Sequence, residues 1–529
     1  MLYTKVLLHG RCLDTDAIFS ELPFIGSKKF TIANFTILCE NIIKNKSIRY
    51  VILEYDFSFT CLMGQLEQIF NILKRLTVHG KKTVFYASSY DEKALYLSSA
   101  CSCRIMPECG VVSFLGFKRQ FNFFKNLLDK LNIEANVLRR GKFKGAADIF
   151  RVDKIDEAQT IAYSRILDIF DETAKKTICS SFNFSREFFK ENIEGRFIPA
   201  EEAKKYGIIT EISHLQQFIN KIVEEKKIHK YTFKHLKQSF GKGKKVAVLY
   251  FDGGIKDGDN DSTGPLGQEI GDRYIIKQIE KIRKNKKIKS VIFKVNSPGG
   301  SAIASDAIAN ELLELKKEKD LIVVQSGVAG SGGYYISFPA EKIFTQNTTI
   351  TGSIGVISVF FNMKDFYEKL GITHSTLKTN EFADIYTTTR RKTEQELKIL
   401  DSEIERIYNG FISNVAKHRN KSIEQVDEIA QGRVWAGIDA ISIGLADEIG
   451  DLYSALDYIK EKYKTKNLYV EFYPKKKKNL LSRILSSSKE DMASDFRLQI
   501  LLNLPDYLKR MDKKVLSIIS EMFLTDFYI

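Results

Sequence analysis

Cysteine is scarce in this chain and unevenly placed. All seven cysteines lie in the first 179 of the 529 residues. An odd number confined to one end argues against a disulfide framework. Cys101, Cys103 and Cys109 lie close together, but they lack the paired CxxC spacing of a zinc site. We therefore expect buried free thiols, and the sequence predicts no metal or cofactor site.

Long apolar runs are also missing. Nowhere does the chain reach the roughly 18 to 20 uninterrupted apolar residues that a membrane-spanning helix needs. Residues 1–8 pass directly into polar sequence, without the apolar core or the cleavage site of a signal peptide. The sequence therefore favours a soluble or peripheral protein.

Acidic residues are outnumbered by basic ones. Lys and Arg total 81 against 66 Asp and Glu, a formal net charge of +15. Such a charge suits an anionic partner such as nucleic acid or a membrane surface. However, the basic residues are spread widely, apart from residues 240–245 and 475–478, and no nucleic-acid-binding motif accompanies them. We interpret the charge as a solvated lysine-rich surface and expect no nucleic-acid partner.

An internal repeat organises the chain. Residues 195–212 and 432–449 share Gly, Arg, Ala, Gly and Ile at one offset, 432 − 195 = 237. Residues 47–53 match residues 287–293 at an offset of 240. The chain is therefore interpreted as two diverged copies of one unit, which agrees with a length too great for a single core.

Each copy alternates β-branched runs with amphipathic helical stretches. In the second copy the pattern predicts strands at 246–251, 291–295 and 321–324, and helices at 273–283 and 302–315. This alternation is typical of βαβ units around a mostly parallel sheet. The predicted fold class is α/β, with two tandem repeat domains and a helical C-terminal tail. The expected boundaries are a first repeat at 1–228, a basic linker at 229–245, a second repeat at 246–465 and a Lys/Leu-rich tail at 466–529.

Three glycine-bearing loops follow predicted strands of the second copy. Their sequences are NSPGGS at 296–301, SGG at 331–333 and TGSIGV at 351–356. In a parallel sheet such loops gather at the carboxyl edge, where ligands bind. Ser331 lies in a glycine-flanked strand-to-helix turn, the position at which a nucleophile is best presented. The Gly332 amide, together with the loop at Gly299 and Gly300, can then form an oxyanion hole.

A serine nucleophile needs a base, and the sequence alone leaves its identity open. None of the seven histidines lies in a glycine-bearing loop or a matched repeat element. That weakens a Ser-His-Asp triad, although a triad is defined in space. A lysine with a desolvated, lowered pKa can replace histidine, but composition cannot select one lysine among so many.

Taken together, the loop motifs resemble those of the signal peptide peptidase A family, also called protease IV. The resemblance rests on AGSGGYYIS at 329–337 with the loops at 296–301 and 351–356, and it covers about residues 1–465 in the family's long tandem-repeat form. It implies the fold of the ClpP/crotonase superfamily. It also implies Ser331 as nucleophile and Ser353 as the serine that supports the dyad.

The resemblance further implies that the first copy supplies a lysine base. The matching segment is GKFKGAADIF at 141–150, which assigns the base to Lys144, with Lys142 as the nearby alternative. The copies diverge in a complementary way. Where the second has GSGG at 330–333 the first has DEKA at 91–94, and where the first has Lys144 the second has Asn380. One composite site per chain is therefore predicted.

The function implied by the resemblance is a serine endopeptidase that degrades signal peptides or other unstructured, membrane-derived peptides without a cofactor. A homo-oligomer, expected to be a tetramer, is also implied. Family members are membrane-associated, but the usual N-terminal anchor is not seen in this sequence. Residues 498–504 could instead lie on a lipid surface, although we favour a helix that packs on the core. Two alternatives stay open: an acyl-CoA enzyme of the same superfamily, and a non-catalytic peptide-binding scaffold.

Overall fold

A computed structural model describes residues 1–16, 30–233, 236–264 and 267–475. The tail beyond residue 475, including the stretch at 498–504, lies outside the described residues, as does His235. The strands in the described ranges are β1 (Leu2–Leu8), β2 (Ile48–Tyr55), β3 (Lys82–Tyr86), β4 (Cys103–Met106), β5 (Val111–Ser113), β6 (Glu134–Arg140), β7 (Phe197–Pro199), β8 (Glu211–Ile212), β9 (His229–Lys230), β10 (Ser239–Gly241), β11 (Lys244–Asp252), β12 (Gly254–Lys256), β13 (Asp261–Gly264), β14 (Gly267–Gly271), β15 (Ile288–Ser297), β16 (Asp320–Gly330), β17 (Lys342–Thr345), β18 (Ile350–Gly352), β19 (Val356–Asn362), β20 (Val434–Ala436), β21 (Glu448–Ile449) and β22 (Leu468–Tyr473).

Helices alternate with these strands. They are α1 (Ile32–Lys44), α2 (Met63–Val78), α3 (Glu92–Ser98), α4 (Lys125–Lys130), α5 (Asp148–Arg151), α6 (Glu157–Phe182), α7 (Arg186–Asn192), α8 (Ala200–Lys205), α9 (Leu215–Lys226), α10 (Asp272–Lys284), α11 (Ala302–Lys316), α12 (Gly332–Tyr335), α13 (Lys364–Lys369), α14 (Glu394–Arg419), α15 (Ile423–Ile429), α16 (Gly437–Ser442) and α17 (Leu452–Lys462). In this part of the chain no helix is both long and apolar enough to cross a membrane.

Each repeat is built around its own mainly parallel sheet. The first sheet has the order β8-β4-β3-β2-β1-β9, and the main path of the second is β10-β22-β11-β15-β16-β17-β21. The central strands β2 and β15 are almost continuously buried, as expected for parallel strands covered on both faces. Helices cover these faces with apolar stripes; α10, for example, buries Ile275, Ile279 and Ile282. The predicted α/β class is confirmed.

Matching contacts in the two sheets confirm the tandem repeat. Lys81 Nζ donates to the carbonyl oxygens of Asn45 and Ile48, at 2.8 and 2.9 Å. In the second repeat Lys319 Nζ donates to the carbonyl of Asn285 at 3.0 Å and to that of Ile288 at 2.8 Å. Each lysine is buried and satisfies carbonyl groups at the start of a central strand, β2 in the first sheet and β15 in the second.

The segment from residue 466 differs from the helical expectation. Residues 468–473 form β22, which lies parallel to β11 within the second sheet. The cause is a period of two, since Leu468, Val470 and Phe472 are all buried while their neighbours are more accessible. The strand itself contains no lysine, but the lysine-rich sequence on either side of it led to the helical expectation. In the expected linker, residues 239–241 form β10 beside β22. The domain boundaries stay a prediction.

The repeats are joined by contacts across the chain. Strand β6 of the first repeat pairs antiparallel with β19 of the second over its whole length. Helix α2 packs against β16, the strand that precedes Ser331. The turn at residues 141–148, which follows β6, is thereby brought to the carboxyl edge of the second sheet.

Candidate active site

Ser331 lies in a sharp turn between β16 and α12. Its backbone has φ 54° and ψ −119°, a conformation that is uncommon for a residue other than glycine. The turn is held by a hydrogen bond from the Ser331 amide to the Gly352 carbonyl oxygen at 2.8 Å. Such strained turns are found where a side chain has to be presented to a ligand. Ser331 thus occupies the carboxyl edge that the sequence predicted.

Lys144 reaches this serine from the other repeat. Its side chain is buried, and Nζ lies 2.8 Å from Ser331 Oγ, 2.8 Å from the Ser353 carbonyl oxygen and 3.1 Å from Ser353 Oγ. These contacts match the three donors of an ammonium group. Burial lowers the pKa of Lys144 to about 7, because water no longer stabilises the charged form. The arrangement therefore joins a serine to an amine that loses its proton near neutral pH.

The turn that carries Lys144 is held from both sides. The Phe143 amide donates to the Gln431 carbonyl oxygen at 2.8 Å, and Gln159 Nε2 donates to the Phe143 carbonyl at 2.5 Å. Gly432 has φ 74°, and a Cβ at this position would lie 2.5 Å from Cβ of Lys144. Only glycine allows so close an approach. Sequence reasoning used Gly432 as a marker of the repeat and missed this packing role.

Ser353 completes the surroundings of the lysine. Its amide donates to the Arg433 carbonyl oxygen at 2.7 Å, and its hydroxyl donates to the Gly432 carbonyl at 3.3 Å. Ser353 therefore accepts hydrogen bonds from Lys144 on one side and donates to the carbonyl groups of Gly432 and Arg433 on the other. The arrangement brings together Ser331, Lys144 and Ser353, as the resemblance implied.

The glycine loop at 296–301 lies beside the serine. A Cβ at Gly299 would lie 2.8 Å from the Gly332 amide nitrogen and 2.9 Å from Ser331 Cβ, so the loops are in close contact. The Gly299 amide donates to Ser297 Oγ at 3.2 Å. Ile255 anchors the loop by donating to the Gly299 carbonyl at 2.9 Å. Because the Gly299 amide is occupied, Gly332 and Gly300 are the better candidate oxyanion donors.

The alternative residues lie elsewhere. Lys142 is exposed, and its Nζ lies 5.1 Å from the ring centroid of Phe143. In the first repeat, Glu92 stands in the segment that replaces the serine turn. Its carboxylate accepts from the Leu115 amide at 2.5 Å and the Gly116 amide at 3.2 Å. In the segment that corresponds to the serine turn, the first repeat thus has a carboxylate that is hydrogen-bonded within its own repeat.

Comparisons with known proteins give a consistent result. Residues 75–229 and 314–466 match the model of peptidase family S49. The chain is 31% identical over 444 residues to "Serine protease SPPA, chloroplastic" of Arabidopsis thaliana. The aligned region covers 80% of this chain and 65% of that protein. It is 36% identical over 222 residues to "Putative signal peptide peptidase SppA" of Enterococcus faecium, covering 42% of this chain and 64% of that protein. The chain thus spans slightly less than two thirds of each of these relatives.

A solved structure of a ClpP1 mutant from Listeria monocytogenes is also similar. It is 17% identical, covers 40% of this chain and 95% of its own, and has a TM-score of 0.27. A similarity of this size carries no argument about function or assembly.

The buried lysine predicts a pH-dependent effect on stability. Between the lowered pKa near 7 and the ordinary value of 10.5, the unfolded chain binds a proton that the folded chain does not. The free energy of unfolding therefore rises with pH in this window. The cost of burying a protonated Lys144 is greatest at about pH 7 and below. We expect Lys144→Met to raise the Tm relative to the parent by a few degrees near pH 7, and the difference to shrink toward pH 10. Thermal unfolding of both forms across this range checks it; a pH-independent difference would contradict the lowered pKa.

Proposed function

Because the chain belongs to peptidase family S49, we propose that it is a serine endopeptidase in which neutral Lys144 activates Ser331. The match confirms the family that the three loop motifs resembled, and the relatives named as proteases support the proposed peptidase activity. The observation that carries the residue assignment is the 2.8 Å contact between Lys144 Nζ and Ser331 Oγ, made by residues 187 positions apart. Residues so far apart in sequence come into contact only through the tertiary fold.

The proposed reaction follows from the positions of these groups. Neutral Lys144 accepts the proton of Ser331 Oγ, and the oxygen forms a bond to the carbonyl carbon of the peptide. The amides of Gly332 and Gly300 stabilise the negative oxygen, a contribution of about 3–4 kcal/mol for a typical donor. Protonated Lys144 then gives its proton to the leaving amine as the C–N bond breaks. Finally a water, deprotonated by Lys144, hydrolyses the ester and restores Ser331.

The proposed substrates are extended peptides, with signal peptides as one source. The narrow approach between Gly299 and the serine turn suits a substrate backbone that lies flat across both loops. A relative that carries the name signal peptide peptidase supports this substrate class. Membrane-derived segments released as unstructured chains meet the same geometric requirement.

We also propose a homo-oligomer. The tandem repeat offers two possible pairings of the β6–β19 kind, and only one of them forms within the chain. Helices α4 and α13 are counterparts at an offset of 364 − 125 = 239. At this offset the counterpart of β19 is residues 117–123, and the counterpart of β6 is the segment that follows α13, residues 373–379. In the described chain neither segment belongs to a strand. The β6–β19 pairing therefore has a potential second instance, which only two copies can form.

Exposed apolar residues lie in or near both of these segments. Leu115 is 59% exposed, although its counterpart Ile354 (354 − 115 = 239) is completely buried. In the segment at 373–379 Leu377 is 99% exposed, and further along the chain Tyr386 is 74% exposed. A Cβ at Gly195, the counterpart of Gly432, would meet nothing within 4 Å. The first repeat of one copy thus has room at Gly195 for a turn from the second repeat of another copy, the turn that corresponds to the one carrying Lys144.

A contact of this kind is head-to-tail, so its repetition gives a closed ring or a filament. We propose a closed ring, with the tetramer that the resemblance implies as its size. Enclosed sites would admit extended chains and exclude folded proteins.

Substitution of the dyad tests the proposed mechanism. We expect Ser331→Ala to lower kcat for a flexible peptide by about 10⁴-fold or more, because the nucleophile is lost. Lys144→Ala should be nearly as damaging, and the double variant hardly worse, because residues acting as a unit are strongly non-additive. Peptidase assays with circular dichroism of each variant provide the measurement. Lys142→Ala is the matched control and should stay near the parent.

Three outcomes would contradict the assignment. Ser331→Ala activity within tenfold of the parent would remove the serine as nucleophile. A dispensable Lys144 together with an essential Lys142 would show that the lysine had been assigned two residues from its true position. Acyl-CoA turnover that survives Ser331→Ala would favour the alternative enzyme class.

The oligomer is tested at its most exposed apolar residue. Leu377→Asp places a charge in the proposed contact, so we expect sedimentation to give a smaller species than the parent. Val78→Asp is the control, because Val78 is 76% exposed and lies outside both segments. A monomeric parent, or equal dissociation by both variants, would overturn the proposed contact.

A further inference from the structure

Helix α2 carries polar residues where it is buried. Gln65, Glu67 and Gln68 are each no more than 5% exposed. A buried helix face is normally apolar, and polar residues at such positions have specific partners. Gln68 Nε2 donates to Ser326 Oγ at 2.7 Å, and Ser326 belongs to β16 of the other repeat. The buried polar face of α2 is thus directed at the strand that carries the nucleophile.

Glu67 is the charged member of this face. Its carboxylate accepts from the Thr348 amide at 2.8 Å, from the Thr348 hydroxyl and from Asn347 Nδ2 at 2.8 Å. Burial raises the pKa of Glu67, and the hydrogen bonds from Thr348 and Asn347 oppose that rise. A buried carboxylate that relies on neutral donors is expensive to keep, so a geometric role is the natural explanation.

The partners of Glu67 begin a short path to the dyad. Asn347 and Thr348 lie in the loop between β17 and β18, and the next residue, Thr349, donates its hydroxyl to the Ser326 carbonyl at 2.5 Å. Strand β18 then pairs with the end of β16. Its last residue, Gly352, accepts the Ser331 amide, and Ser353 follows at once. Displacement of the loop would therefore be transmitted to both serines.

We propose that Glu67 is a positioning residue for the dyad. By holding Asn347 and Thr348 it fixes β18, and through β18 it fixes the Ser331 turn and the Ser353 oxygens that receive Lys144. The first repeat thus contributes two groups to the site: Lys144 in the cleft and Glu67 behind the serine strand. The inference rests on the proposed function for its kinetic consequences but not for its geometric ones.

Glu67→Ala tests the proposal, with Glu67→Gln and Ile69→Ala as companions. In Glu67→Ala we expect kcat to fall about 100-fold with little change in KM, the order of effect for a misplacement near 1 Å. We also expect the titration of Lys144 to move to higher pH, because a loosened Ser353 admits water. Glu67→Gln should retain activity, because its oxygen still accepts from Thr348 and the Asn347 amide can turn to match it.

Ile69→Ala controls for general destabilisation. Ile69 lies on the same helix and is completely buried in the first-repeat core. We expect it to lower the Tm without moving the Lys144 titration. The titration is read from the pH dependence of Lys144 acetylation by mass spectrometry on the full chain, which needs no peptidase turnover. Circular dichroism corrects each rate for the folded fraction.

The outcomes separate this inference from the proposed function. A titration that shifts in Glu67→Ala alone, in a chain without peptidase activity, would keep the positioning role and remove the peptidase. An unchanged titration and kcat in Glu67→Ala would overturn the positioning role. An equal titration shift in Ile69→Ala would also overturn it, because the effect would then follow from lost stability.

Discussion

The proposed chemistry depends on keeping one amine away from water. Lys144 is buried and its pKa is lowered to about 7, yet its own repeat encloses only one side of the turn that carries it. Gly432, Ser353 and the β6–β19 pairing, which enclose it, all involve the second repeat. Desolvation of the base is therefore a property of the contact between repeats, and the contact has to be rigid for the base to work.

That rigidity is provided by buried polar contacts as well as apolar packing. Asp14 of the first repeat pairs with Lys294 of the second, and it also accepts from Gln65 and Ser326 at 2.9 Å each. A buried ion pair contributes little net stability, but it disfavours every arrangement that leaves either charge alone. Together with the hydrogen bonds from the adjacent β17–β18 loop to Glu67 of α2, these contacts favour a single alignment of the repeats. The first repeat, which has no nucleophile, thus supports the second repeat, which carries Ser331.

What could be predicted from sequence follows from how local each feature is. Ser331 and the glycine loops are encoded in contiguous motifs, so their place at the carboxyl edge could be predicted from sequence, while their catalytic roles stay a prediction. Lys144 could be identified only through the family resemblance, because nothing in composition separates it from other lysines. Glu67 was missed because its partner Asn347 is 280 positions away and an acidic residue on a helix normally indicates an exposed face. Strand β22 was missed because the lysine-rich sequence on either side of it was interpreted as part of one helical tail.

The most direct measurement of the central claim is the pH dependence of Ser331 labelling by a fluorophosphonate, followed by mass spectrometry of the intact chain. Such a reagent reports the nucleophile without a natural substrate. If Lys144 is the base, labelling falls on Ser331, its rate rises through about pH 7, and the rise is lost in Lys144→Met. Labelling of another residue, or a rate already at its plateau by about pH 6 in the parent, would contradict activation of Ser331 by a desolvated lysine.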